Sequence, residues 1–243
     1  MFGMASGLAL ALGPGTGVMI ARAFGFPALF ASASALATVG FACMLLVPET
    51  HTARESHRFR LADTMTRGAL FPSWIMLGTT VTYGALISFL PLHADARGLN
   101  PGAFFVVYAL ALTVARQPAG RLSDRHGRAP LVVAGLIVLA AALVVLAFAE
   151  RVASLVIGGI VYGVGHGITH TALLAWAADG VAPGQRGRAM GTIYTALELA
   201  IALGSIAAGV AVAGVGFAGT FVGAAGLALA TAALAATRLR RGA

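Results

Sequence analysis

The chain alternates long apolar runs with short polar links. The runs occupy approximately 2–21, 27–48, 70–92, 102–118, 130–149, 152–176, 189–212 and 214–237. Each is close to the ~20 residues an α-helix needs to cross ~30 Å of hydrocarbon. The in-and-out alternation required of a transmembrane β-barrel is absent from the sequence. The pattern predicts an all-α membrane protein with eight spans. The fourth run is short and is expected to extend through Arg116 into the next link. The link 49–68 is the longest and most polar, so it reads as a connector between two helix groups. An interfacial amphipathic piece around Phe59–Thr66 is one option within it.

A repeat organises these runs. Gly25 and Gly216 lie 191 residues apart, and at that offset the start of the chain falls on its end without a gap. Leu12-Gly13 falls on Leu203-Gly204, Gly25-Phe26 on Gly216-Phe217, Phe30 on Phe221 and Leu36-Ala37 on Leu227-Ala228. Shared Ala, Gly and Leu content would give some matches, but would not align span ends with span ends. The offset lays the first span on the seventh and the second on the eighth, so the repeating unit is six helices, a known transporter architecture. Residues 1–48 then form the last two helices of one six-helix bundle. Residues 49–68 are the connecting loop, and 69–243 form a complete second bundle.

Charge sets the orientation. Only 10% of residues are charged, against ~25% in a soluble domain. All 16 basic residues are arginine. Thirteen lie on one side, in 49–68, 116–129, 177–188 and the tail; Arg22, Arg97 and Arg151 lie on the other. By the positive-inside rule both termini and the connector are cytoplasmic, in what reads as a bacterial inner membrane. Arginines confined to such links mark topology, not nucleic-acid binding. No basic region precedes the first apolar run, so no secretory leader is expected. The single cysteine, Cys43, excludes an internal disulfide and a cysteine metal cluster. No G-x₄-G-K-[ST] segment is present, so neither direct ATP drive nor a cofactor is expected.

Four segments carry a family resemblance. Gly120-Arg121-Leu122-Ser123-Asp124-Arg125-His126-Gly127-Arg128 resembles the G-x-L-(A/S)-D-R-x-G-R loop of the major facilitator superfamily. Gly13-Pro14-Gly15-Thr16-Gly17 resembles the G-P-x-x-G motif in helix 5 of the family's drug/proton antiporters. Tyr83 to Leu92 resembles helix 7 of the efflux branch, and Pro183 to Gly191 the loop into helix 11. The resemblance implies a major facilitator-type helical bundle whose eight spans correspond to family helices 5–12, with the first four helices lacking. It further implies a secondary active carrier, a proton-coupled exporter of a small organic molecule or drug, and not an enzyme. Its partners would be that substrate, protons, the lipid bilayer, and the missing N-terminal helices or a second chain.

Under this reading Gly120, Arg121, Asp124, Arg125, Gly127 and Arg128 form a cytoplasmic latch. Asp124 would accept hydrogen bonds from a neighbouring helix N-terminus, and the arginines would meet acids or anionic headgroups. Gly13, Pro14 and Gly17 would form a hinge or seal. Glu198 is the only acid deep in a span, and His166 and His170 share one helical face at i, i+4. With Tyr194 these are the candidates for proton coupling or the substrate path. Thr79, Thr82, Tyr83, Ser88, Phe89 and Tyr108 are candidate cavity residues. Trp74 and Trp176 read as interfacial anchors. Two alternatives stand beside the exporter: a non-transporting remnant, and a membrane-embedded metalloenzyme on His166 and His170. The second lacks a third ligand, so no metal site is expected.

Overall fold

The computed structural model describes residues 2–47 and 65–239. Most of the expected connector, and the interfacial piece within it up to residue 64, lie outside the described residues. So do Arg240 and Arg241 of the tail. The elements are α1 (Phe2–Leu45), α2 (Arg67–Asp95), α3 (Gly102–His126), α4 (Arg128–Ala147), α5 (Val152–Asp179) and α6 (Arg186–Ala236), with a 3₁₀ turn at Pro183–Gln185 leading into α6. The described residues contain no strand. Six helical stretches among them are long and apolar enough to cross a bilayer.

The eight expected spans are therefore not matched as a helix count, and the reason is local. The first and second runs, and the seventh and eighth, are not separated by loops. Each pair is joined through a single non-helical glycine, Gly25 (φ 83°, ψ 171°) in α1 and Gly216 (φ 71°, ψ 179°) in α6. A straight helix of 51 residues would be ~76 Å long, more than twice the hydrocarbon thickness.

Packing shows how α6 avoids this. Its first half runs along α2: Thr192 Oγ1 accepts from the Thr66 amide, Ser205 pairs with Ser88, and Gly209 lies against Phe89. Its second half returns along the same helix. Phe217 and Phe221 meet His93, Thr231 meets Gly78, and the Arg238 guanidinium lies 4.3 Å over the Phe71 ring. The chain reverses at Gly216. In α1 a β-carbon on Gly17 would lie 3.6 Å from Leu29 Cδ1, although twelve residues of straight helix span ~18 Å. The chain reverses at Gly25 as well. These glycines are the repeat mates found in the sequence, and they hold the same backbone conformation.

A third glycine does the same between α3 and α4. Gly127 (φ 88°, ψ 159°) is the whole link. The charged segment is thus not a loop, as expected from its polarity: Gly120–His126 continues α3, and Arg128 opens α4.

The bundle closes by α2 on α6, α3 on α5, and α4 on both α5 and α6, with α1 on α3. Helices α2 and α6 cross with no room for a side chain between them. Gly84 faces the Ile201 carbonyl and Gly204 faces the Val81 carbonyl, each closer than a β-carbon would allow. Close backbone approach of this kind replaces the hydrophobic effect as the driving force for helix association in lipid.

The link glycines occupy a backbone region that β-carbons exclude. Gly216→Ala should destabilise the protein by about 1–3 kcal/mol. Gly214→Ala, at a helical position with open space around it, should not destabilise it. Unfolding of the purified protein in mixed micelles with increasing SDS measures both.

Candidate functional site

Small residues decide the register of α3 and α5. Gly163 sits against the Tyr108 carbonyl and Gly167 against the Leu112 carbonyl, so the two helices run in the same direction at close range. This brings the Tyr108 hydroxyl to His166 Nδ1, where they share a hydrogen bond of 2.9 Å. Tyr83 enters from α2, with its ring centroid 4.9 Å from that of His166 in an edge-on arrangement. Tyr162 and His170 lie 5.9 and 5.8 Å from His166, ring to ring. Tyr162, His166 and His170 repeat at i, i+4, i+8, so α5 presents them as one stripe. Tyr108, Tyr162 and His166 are buried, while Tyr83 and His170 are half-buried. His166 stands about 20 Å from either end of α5 by helical rise, which is mid-span.

Two members of this cluster escaped the sequence reading. Tyr162 carried a usable signal in its spacing from His166. Arg116 was grouped with the charges of the following link, but it lies within α3, about 15 Å from its end. The register of α3 on α5 puts it level with residues 170 and 171, one turn beyond His166.

Other candidates are placed elsewhere. Glu198 and Tyr194 lie exposed on α6, along a stripe shared with Leu199, Leu203 and Ile206. Glu198 has no hydrogen bond or ion pair to any described residue, and the structure does not join it to the histidines. The Thr79 hydroxyl donates to the Ile75 carbonyl and the Thr82 hydroxyl to the Thr79 carbonyl. Ser88 shares a 2.8 Å hydrogen bond with Ser205, whose hydroxyl lies within reach of the Gly84 and Ile201 carbonyls. Phe89 is half-buried beside Gly209. Trp74 is exposed near one end of α2, and Trp176 packs edge-on against Phe71 at 5.5 Å. Among the described residues no three His, Cys, Asp or Glu side chains converge as metal ligands.

The charged hairpin forms a second centre. Arg128 Nη1 lies 2.6 Å from Asp124 Oδ1 and donates to Ser123 Oγ at 2.9 Å; its Nε donates to Asp179 Oδ2 at 2.8 Å. One guanidinium therefore ties the end of α3, the start of α4 and the end of α5. Asp124 was expected to accept hydrogen bonds from a helix N-terminus; its partner here is the Arg128 side chain at the first position of α4, and no amide of that helix. Asp179 was not anticipated, because nothing in the sequence links it to a residue 51 positions away. Gly120 and Gly127 border this centre; Arg121 and Arg125 point to solvent, exposed. Arg67, Arg186, Arg188 and Arg238 gather at the same end of the bundle, where α2 begins and α6 begins and ends. Arg97 and Arg151 lie at the other.

In α1 the Gly13–Gly17 segment stays helical, and the Thr16 hydroxyl donates to the Gly13 carbonyl. The side chain of Pro14 lies outside the described residues. The break in α1 is at Gly25, not at this motif.

The Major Facilitator Superfamily profile matches residues 101–242, which is α3 to the end of α6 and more than half of the chain. The chain belongs to the Major Facilitator Superfamily. It is 30% identical over 127 residues to the MFS-type transporter ppzB of Metarhizium rileyi (strain RCEF 4871), covering 49% of this chain and 26% of that protein. It is also 30% identical over 133 residues to the inner membrane transport protein YajR of Escherichia coli (strain K12), covering 55% and 28%. In fold it is similar to the human organic anion transporter MFSD10 (TETRAN), with a TM-score of 0.58 at 21% identity over 75% of this chain and 43% of that one. The matched stretch spans under a third of the length of ppzB and of YajR. Its all-helical major facilitator fold makes it an integral, multi-pass membrane protein. The family and the relatives are transporters, not enzymes.

The Tyr108–His166 hydrogen bond is testable by a double-mutant cycle. Tyr108→Phe should destabilise the protein by about 0.5–2 kcal/mol. In a His166→Leu background the same change should cost little, because no nitrogen is left unpaired. SDS unfolding in mixed micelles gives the coupling.

Proposed function

We propose that this chain belongs to a secondary active carrier that exports a small organic molecule, or drug, in exchange for protons. Its eight helical segments correspond to family helices 5–12 in this reading, with α2 as helix 7 and α3 as helix 8. The observation that carries it is the buried tyrosine–histidine cluster at mid-span. Ionisable groups at that depth are expensive in a membrane helix and mark ion or substrate paths. Histidine changes charge nearest physiological pH, which suits it to hold and release a proton. Aromatic walls with a few polar groups suit a small organic substrate.

Glu198 and Tyr194 have a different place in this reading. They face outward on the open stripe of α6, towards a cavity shared with the other half of the carrier. There Glu198 is a second proton-carrying group. The Asp124–Arg128–Asp179 cluster is a latch that holds one end of the bundle closed and parts as the carrier rocks. The crowding of arginines at that end supports a cytoplasmic location for it and for both termini, in a bacterial cell membrane.

Proteoliposomes with an imposed proton gradient and a panel of fluorescent organic dyes test the function. Dye movement should collapse on adding a protonophore, and His166→Gln should separate dye movement from proton movement. Transport indifferent to the gradient would exclude proton coupling. Asp124→Asn should slow transport about tenfold, or ~1.4 kcal/mol in the barrier, with no loss of protein from the membrane. Unchanged transport would exclude the latch.

A further inference from the structure

From α2 onward, Arg116 is the one described arginine more than two turns from a helix end. A cation at that depth is costly unless it is paired or faces a cavity, and none of the described acids pairs with it. Asp124 and Asp179 are engaged by Arg128. Asp95 closes α2 and Glu150 precedes α5, both at the opposite end of the bundle from Asp124. Glu198 is exposed on α6, and no ion pair joins it to Arg116.

The parallel register set by Gly163 and Gly167 puts Arg116 level with residues 170 and 171, beside His170 and one turn beyond His166. The other polar groups of the cluster are the phenols Tyr83 and Tyr108, which pack against each other and against His166. Every one of these groups is a hydrogen-bond donor in its neutral form, and none is a carboxylate. A half-buried guanidinium among neutral donors attracts a carboxylate bidentately and repels an ammonium ion. The tyrosine rings offer flat apolar surface beside it.

We infer that the site takes small organic anions, with an aromatic carboxylate as the best-fitting class. The carboxylate engages the Arg116 guanidinium and His170, and the apolar body lies along Tyr83 and Tyr108. This rests on the reading of the tyrosine–histidine cluster as the substrate site. It adds the sign of the charge that the site selects, which neither that reading nor the fold determines.

The test uses the purified chain in lipid nanodiscs and three probes of one shape: naphthoate, the neutral naphthamide, and the cationic naphthylmethylammonium. Titration calorimetry should show naphthoate binding about tenfold or more tighter than naphthamide, with the cation weakest. Arg116→Gln should erase the preference while leaving naphthamide affinity within about twofold, which also reports that the variant is folded. Arg116→Lys should retain part of the preference, because it keeps the charge and loses the bidentate fork. Equal affinity for naphthoate and naphthamide, or a preference that survives Arg116→Gln, overturns the inference.

A Tyr108→Phe/His166→Gln variant separates this failure from failure of the underlying site. If the probes bind and this variant weakens them all, but charge makes no difference, the site stands and its anion selectivity falls. If no probe binds, or the variant leaves binding untouched, the site reading falls and the inference with it.

Discussion

A single backbone conformation shapes this bundle. Glycine at positive φ with extended ψ joins the halves of α1, α3 to α4, and the halves of α6. A β-carbon cannot occupy that region without strain. One such residue reverses an apolar helix without a loop, so few backbone polar groups are left without a helical partner at the turn. That economy matters where water is scarce, because each unsatisfied amide or carbonyl in hydrocarbon is costly. The reversal also dictates partners. Once the chain turns at Gly216, the second half of α6 must return beside the first, and both lie along α2. Once it turns at Gly127, Arg128 stands one step from Asp124 and faces the end of α5.

The same conformation explains which parts of the fold were legible in the sequence. Apolar run lengths located the six helical stretches long and apolar enough to cross a bilayer, because hydrocarbon thickness is a strong filter on composition. The repeat located two of the three link glycines, since Gly25 and Gly216 are mates at one offset. The runs could not reveal that those links contain no loop residues, because hydropathy falls gradually at a span end whether or not a loop follows. Polarity misled at Gly120–Arg128: four charges in nine residues read as a loop, yet three ride the last turns of α3 and the fourth, Arg128, opens α4. Arg116 was misgrouped for the same reason. One-dimensional proximity to that charge cluster hid its place ten residues, nearly three turns, from the end of α3.

The candidate site was partly legible, for a related reason. Residues on one helix could be associated by spacing, as with His166 and His170. Residues on different helices could be associated only by register, which side-chain size at the crossing decides. Tyr108 reaches His166 because Gly163 and Gly167 let α3 approach α5 to backbone contact. No pattern within α3 announces this. Glu198 shows the converse. It was paired with the histidines by depth alone, but the rotation of α6 about its axis turns it to the open face.

Helix α3 carries both centres, and this has a mechanical consequence. Tyr108 and Arg116 serve the mid-span cluster, and Asp124, farther along the same helix, serves the charged hairpin. Pro118 lies between them, inside the helix. It has no N–H to donate to the Val114 carbonyl, and its ring crowds that turn, so the hydrogen-bond ladder is weakest there. On one side of this step the helix is fixed by the Tyr108–His166 hydrogen bond and the glycine contacts with α5. On the other it is fixed by the bridges from Arg128 to Asp124 and Asp179. Two anchored segments flank one weakened turn, so any relative motion of the site and the hairpin concentrates at Pro118. The outer face of that turn lines an apolar groove of about 530 Å³ between α3 and α5, with Val114, Pro118 and Ile168 on its walls. A bend there therefore meets apolar surface and no hydrogen-bonded core.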